Sequence, residues 1–385
     1  MQAFYVTAPQ FIAMKYALCT IFLLTTYMVF GQNNLTFRTS ERQTLGEPED
    51  RSASMGIGDI DQDGDLDVVI ANGRHWPEQN QIFFNNGRGI FTVSMPLDAI
   101  RETSYATELA DFDGDGDLDI AVGNDMAPNA IYLNAGDGTF SRSGTFGKPY
   151  APTRNLTVAD VDGDGDVDIL ITNRGSENEI CLNDGRGNFT ESRPFGEMDD
   201  STIDVDVADV DGDDDMDLIL ANRDGQQNYI YLNDGHLNFK PIPFGTGKDE
   251  TRSVAHADIN LDGYMDLITA NIGEPNRIYF GDPEQSYKQT TTFDSDNDQS
   301  YSVAVSDLDL DGDVDIIIAN VGEPNTVFIN NDQGKNWEKI KLSDENYDTY
   351  DIISADLNND QRPDILECNS RAANVYYFNR VKAKN

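Results

Sequence analysis

The stretch DVDGDGDVDILITN, residues 160–173, decides how this chain folds. Its first nine residues alternate aspartate with glycine or valine, the next four are apolar or β-branched, and an asparagine closes the run. Versions of the same acidic nonapeptide begin at Asp59, Asp111, Asp160, Asp209, Asp258, Asp307 and Asp356, with starts 52 and then five times 49 residues apart. A self-similar unit of this length cannot bury its apolar face alone. Neighbouring copies must therefore stack, as an open solenoid or as a closed propeller.

The aspartates specify a ligand. Positions 1, 3, 5 and 9 hold Asp59, Asp61, Asp63 and Asp67 in the first copy, then Asp111, Asp113, Asp115 and Asp119, then Asp160, Asp162, Asp164 and Asp168. The fourth copy has Asp209, Asp211, Asp213 and Asp217; the fifth Asp258, Asn260, Asp262 and Asp266; the sixth Asp307, Asp309, Asp311 and Asp315; the seventh Asp356, Asn358, Asp360 and Asp364. Alternate side chains of a tight loop converge on one point, and hard oxygen donors in that number suit calcium. The position 7 residues, Asp65, Asp117, Asp166, Asp215, Tyr264, Asp313 and Arg362, are expected to add a backbone carbonyl, and glycine at position 6 permits the positive φ that a wrapping loop needs. A helix-flanked calcium loop would require a glutamate at position 12, but Ile70, Val122, Ile171, Leu220, Thr269 and Ile318 stand there, with Glu367 the one match. The run after position 9 is short and β-branched, so each loop opens into a strand. Up to seven ions are expected. Asp214 replaces the glycine of the fourth loop, and the seventh, with Asn358, Gln361 and Arg362, is expected to bind most weakly.

The chain carries 69 acidic against 27 basic residues, a formal net charge of -42, and most of the excess lies in the nonapeptides. Such a surface excludes nucleic acid as a partner and disfavours anionic membranes, because phosphate binding needs a basic face. Residues 1–31 read as a secretory signal: Lys15 precedes an apolar stretch from Tyr16 to Phe30, and translation from Met14 is an alternative start. The stretch is short for a membrane span, so a secreted, monomeric protein without membrane insertion is expected, extracellular, periplasmic or at the cell surface. Cys181 and Cys368 fall in different repeats and are not expected to pair.

A short strand precedes each nonapeptide, as in TRNLTVAD (residues 153–160), with a small residue just before the first aspartate, as expected for an inner strand crowded round an axis. Asparagines recur after the second strand (Asn72, Asn124, Asn173, Asn222, Asn271, Asn320, Asn369) and before the third (Asn80, Asn129, Asn178, Asn228, Asn276, Asn325, Asn374), where they are expected to cap turns. An aromatic third strand and a fourth opening at Phe140, Phe189 or Phe239 complete a four-stranded unit. The last repeat stops after its third strand, at residues 374–379, whereas residues 35–46 match a fourth. That exchange suits a ring. The fold class is therefore all-β: a seven-bladed β-propeller over residues 32–385, closed by an N-terminal strand that completes the last blade. Blades are expected at about residues 50–100, 101–149, 150–198, 199–247, 248–297, 298–346, and 347–385 joined with 32–49.

With its acidic loops, the strand after each, and Phe146-Gly147, Phe195-Gly196 and Phe244-Gly245 at fourth-strand ends, the chain resembles the FG-GAP or VCBS repeat propellers of integrin α-subunit heads and secreted bacterial proteins. The resemblance implies calcium in the loops and recognition on the opposite face. Six residues before each nonapeptide, on that face, stand Ala53, Tyr105, Arg154, Ile203, Arg252, Tyr301 and Tyr350. The large members make a contact surface or plug the axis. The first blade's loop NGRHWPEQN, residues 72–80, is three residues longer than the usual asparagine-to-asparagine spacing and carries His75 and Trp76, a stacking site or mere drift. His256 is expected to be a satisfied structural histidine. The reading that follows is a binding or adhesion module for an extracellular protein or glycan. The alternatives are a propeller-based carbohydrate-active lyase or hydrolase, which a carboxylate pair beside a basic residue in the mouth would favour, and a structural scaffold of a surface assembly.

Overall fold

The computed structural model describes residues 35–294 and 296–381; the leader read from residues 1–31 lies outside them. The described residues form strands, turns and bends only, in seven antiparallel sheets whose order follows the sequence from axis to rim. The third blade is representative: inner strand Thr153–Ala159, then Asp168–Asn173, Asn178–Leu182 and Glu191–Phe195. The second strand of every blade is buried at each residue, which explains its unbroken apolar run: both faces of the sheet pack against other blades. No repeat owns a core. Each apolar cluster draws on two adjacent blades, Ile131, Leu156 and Ile171 joining the second to the third, for example, and Leu45, Met55, Val68 and Leu366 joining the seventh to the first.

The ring closes as the two termini suggest. Leu35–Arg38 pairs antiparallel with the third strand of the last blade, Leu35 opposite Val381 and Arg38 opposite Phe378, and Thr44–Leu45 pairs with Val375 and Asn374. The closing strand is thus interrupted by a turn. Fourth strands begin at Phe140, Glu191 and Lys240, so Phe189 and Phe239 precede their strands. They pack inward instead, Phe189 on Phe112 and Phe146, and Phe239 on Tyr231.

The repeated asparagines do more than cap turns. Each Asn after a second strand donates its backbone N–H to the side-chain oxygen of the Asn before the third strand, 2.7–2.8 Å away. In six blades the amide of that second Asn links to a Ser or Thr hydroxyl of the next blade, as Asn80 donates to Ser104 and Asn374, across the closure, to Ser52. Thr153 instead donates to Asn129, at 3.4 Å. Most of these hydroxyls donate on to the first Asn of their own blade. Buried amides are costly to leave unpaired, so this relay fixes each blade to its neighbour on the face away from the acidic loops.

Candidate functional site

In each nonapeptide the chain wraps round the first aspartate, whose carboxylate accepts the N–H of position 6: Gly64 to Asp59 at 3.0 Å, Gly116 to Asp111 at 2.9 Å, Gly165 to Asp160 at 3.0 Å. Position 6 has φ near +90° where glycine occupies it, and Asp214 and Gln361 are forced to +71° and +65°. Those two loops carry the strain of left-handed backbone without glycine, of order 1 kcal/mol each. Position 9 is the buried clip. Asp67 accepts the N–H of Ile60 and of Asn85, and Asp119, Asp168, Asp217, Asp266, Asp315 and Asp364 make the equivalent pair. Burial, opposed by those two bonds, pushes these carboxyls up, to about 7 for Asp67 and about 8 for Asp315.

The sets Asp59, Asp61 and Asp67; Asp111, Asp113 and Asp115; Asp160, Asp162 and Asp168; and Asp209, Asp211 and Asp217 bring carboxylate oxygens within 4.8 Å of one another. Asp113 Oδ1 and Asp211 Oδ1 are buried with no hydrogen-bond partner. Burial, and then like charges this close, raise the pKa of Asp61, Asp113, Asp162 and Asp211, and these all-oxygen donor sets fit a hard cation. The seventh loop differs. Arg380 pairs with Asp360, and Asn358 donates to Asp364 at 2.5 Å, so a guanidinium and an amide already engage two of the expected donors.

On the opposite face the inner strands carry a feature invisible in the sequence. Each has a register shift at the residue six before the nonapeptide, so that Ala53, Tyr105, Arg154, Ile203, Arg252, Tyr301 and Tyr350 are all bulged. Bulges re-aim side chains. All but Ile203 line the mouth of an axial cavity of about 490 Å³. The guanidinium of Arg154 lies 4.6 Å from the Tyr105 ring centre and that of Arg252 lies 5.5 Å from Tyr301, while Tyr301 and Tyr350 meet edge to face at 5.2 Å. The mouth is lined but not plugged.

The long first-blade loop is seated in this constellation. Ala53 leaves a gap in the ring, and Arg74 reaches over it to stack on Tyr350, 3.5 Å from its centre, while His75 Nδ1 lies 2.8 Å from the Tyr105 hydroxyl. Trp76 stays 61% exposed beside them. Arg74 went unnoticed in the sequence because nothing there shows that the loop folds inward.

Deeper in the channel stand Glu108, Asp204, Asp206 and Asp351. Asp204 accepts the N–H of Val254, and Asp351 that of Met55 as well as the Ser302 hydroxyl, so both tie an inner strand to another blade. Glu108 is enclosed by protein yet faces the channel, and burial, with Asp351 and Asp204 nearby, pushes its carboxyl up to about 8. His256 Nδ1 meets Asp206 Oδ2 at 2.6 Å, which raises the imidazole pKa, so this histidine is satisfied by a carboxylate rather than by core packing. Cys181 and Cys368 are buried and unpaired, as expected.

No curated protein matches the sequence. Among solved structures the chain is similar to BBS1N in its complex with ARL6DN (11% identity, TM-score 0.60, covering 91% of this chain and 98% of that one). It is also similar to the WD40 domain of Toxoplasma gondii coronin (11%, 0.61, 92% and 88%) and to YCF48 bound to D1 peptide (9%, 0.57, 90% and 97%). Identities this low show the propeller fold alone. The model of the FG-GAP-like repeat matches six overlapping segments, 59–122, 111–171, 160–220, 209–269, 258–318 and 307–367, each running from one nonapeptide through the second strand of the next blade. Acidic loop, buried second strand and seven-fold ring together place this chain in the FG-GAP-like repeat family.

Proposed function

We propose that this propeller is a secreted, calcium-stabilised binding module that takes an extracellular protein or glycan at the channel mouth opposite the acidic loops. The observation that carries the reading is the set of five bulges that turn Tyr105, Arg154, Arg252, Tyr301 and Tyr350 toward one cavity. Aromatic and guanidinium groups in a concave, half-desolvated site are the usual anchors of recognition. FG-GAP propellers are typically binding modules without catalysis. Calcium, held by positions 1, 3, 5 and 9 and the position 7 carbonyl, would neutralise the loops on the other face and so act on stability rather than on the ligand.

A carbohydrate-active enzyme is the second reading, favoured by one observation: Glu108, whose carboxyl burial pushes up to about 8, shares the channel with Asp204, Asp351 and Arg252. Against it, both aspartates are committed to backbone N–H groups. A glycan array with wild type and a Tyr301→Ala/Tyr350→Ala variant, in calcium, tests the first reading: binding should vanish while the melting temperature stays within a few degrees. Retained binding would move the site off the mouth. Release of reducing ends from a bound glycan, lost in Glu108→Gln, would establish the enzyme instead.

A further inference from the structure

Beside the channel mouth lies a smaller pocket of about 130 Å³, lined by Arg51, Arg74, His75, Trp76, Asp348, Tyr350, Ser370 and Arg371. Arg74 and Tyr350 line both cavities, so the two are continuous. In a chain with 27 basic residues against 69 acidic ones, three guanidiniums converge here. Arg51 is engaged by Glu78. Among the described residues, neither Arg74 nor Arg371 has a carboxylate within ion-pair distance. Two guanidinium nitrogens, Arg51 Nε and Arg74 Nε, are buried without an acceptor. A buried donor left without an acceptor is costly, and in this pocket, unlike the protein as a whole, cations outnumber anions, with Asp348 the one carboxylate on the wall.

We infer that the mouth recognises a saccharide whose terminal residue carries a carboxylate or sulfate, the anion seated between Arg74 and Arg371 and the sugar ring lying on Trp76. The inference deepens the mouth-binding reading and rests on it. A cavity of about 130 Å³ holds roughly four waters at about 30 Å³ each, room for an anionic group but not for a pyranose ring with its hydration. The ring must then lie outside, where Trp76, 61% exposed, offers a flat apolar face at the rim. The field is locally positive, since Arg74, Arg154 and Arg371 add to burial in lowering the His75 pKa, so His75 serves as a neutral partner of Tyr105. The net charge of -42 repels a dense polyanion, and a chain end presenting a single anion avoids most of that repulsion.

The test is calorimetric titration of the calcium-loaded protein with trigalacturonate, its methyl ester, a terminally sulfated galactotriose, neutral galactotriose and a hexaglutamate peptide. Short oligosaccharides avoid gelation with calcium. Trigalacturonate or the sulfated sugar should bind at least about tenfold more tightly than ester and neutral sugar, the loss expected for one charge-assisted contact. Which of the two binds tells carboxylate from sulfate. Arg74→Gln, Arg371→Asn and Trp76→Ala should each weaken binding at least about tenfold; Arg371→Asn keeps a residue that accepts the left-handed backbone there, φ 62°, and guards against a folding artefact of Arg74→Gln. Equal binding of acid, ester and neutral sugar, lost in Tyr301→Ala/Tyr350→Ala but not in the arginine variants, would overturn the anion inference and leave the mouth as the site. Preference for hexaglutamate would replace the saccharide by an acidic peptide, and no binding by any probe would overturn the inference.

Discussion

Replacing Leu45 by alanine should cost as much as a substitution deep inside the last blade, although Leu45 lies near the start of the described residues. Leu45 is 2% exposed and packs with Met55, Val68, Leu366 and Tyr376 across the junction of the seventh and first blades. Leucine-to-alanine changes in such cores remove about 3 kcal/mol, within a range of roughly 2–5. In a closed ring that loss falls on a seam like any other, so Leu45→Ala and Leu366→Ala should shift the urea midpoint by similar amounts. For a domain of this size each kcal/mol corresponds to about 2 °C, hence a melting temperature lower by about 6 °C. Val381, 53% exposed and paired with Leu35, is the control, and Val381→Ala should change little. Deleting residues 35–46 should do more than either point change, because it also bares the edge of the strand Asn374–Val381 and invites association. Urea titrations followed by circular dichroism in saturating calcium would measure all four. If Leu45→Ala falls within about 1 kcal/mol of Val381→Ala, the terminal strand frays and the ring-closure argument fails.

Chelation with EGTA should lower the melting temperature by more than about 10 °C, since a ligand that binds only the folded state stabilises it by mass action at each occupied site. Calcium counted by mass spectrometry under native conditions should fall short of seven, with Arg380→Ala restoring uptake at the seventh loop; an unchanged melt in EGTA would remove the metal. Glu108→Gln should raise stability at pH 8 and leave it unchanged at pH 4. The folded-state pKa is raised by burial to about 8 from the ordinary 4.5, so between those limits the folded chain holds a proton that the unfolded chain has lost, and stability falls as pH rises through that window. Parallel melting curves for wild type and variant across pH 4–8 would show that Glu108 ionises normally.

The fold was legible because its determinants repeat. Position 9 aspartate, the buried run after it and the paired asparagines stand in every copy, so seven weak local signals add to one strong one, and the complementary ends select a ring over a solenoid. The mouth was half legible. Spacing alone placed Tyr105, Arg154, Arg252, Tyr301 and Tyr350 on one rim, but the bulge that turns them inward leaves no mark in residue type. Arg74 and Arg371 each stand two residues after the first asparagine of their blade, Asn72 and Asn369, but Met126, Gly175, Asp224, Gly273 and Gly322 fill that position elsewhere, so no repeated residue type marks it.

An asparagine that escaped notice shows why regularity and function part company here. An asparagine in or just after six of the third strands, Asn85, Asn134, Asn183, Asn233, Asn330 or Asn379, donates its amide to the position 2 carbonyl of the preceding blade, as Asn85 does to Leu357 and Asn134 to Ile60, both at 2.8 Å. In the fifth blade Gly281 stands there, where a Cβ would meet the Met265 carbonyl at 2.4 Å, and Tyr287 fills that seam, its hydroxyl donating to the same carbonyl at 3.2 Å. Tyr287 thus repairs the asparagine's bond within its own blade, the one Asn85 makes to Leu66 and Asn134 to Leu118, and packs against Val210 of the fourth blade where the cross-blade bond is missing. The mouth shows no such repair: Ala53 leaves a gap, and a loop from the same blade brings Arg74 and His75 across it. A ring whose blades are pinned together by interchangeable parts can carry a mouth built from parts that are not interchangeable, because the asparagine relay that pins the blades uses none of those seven bulged residues.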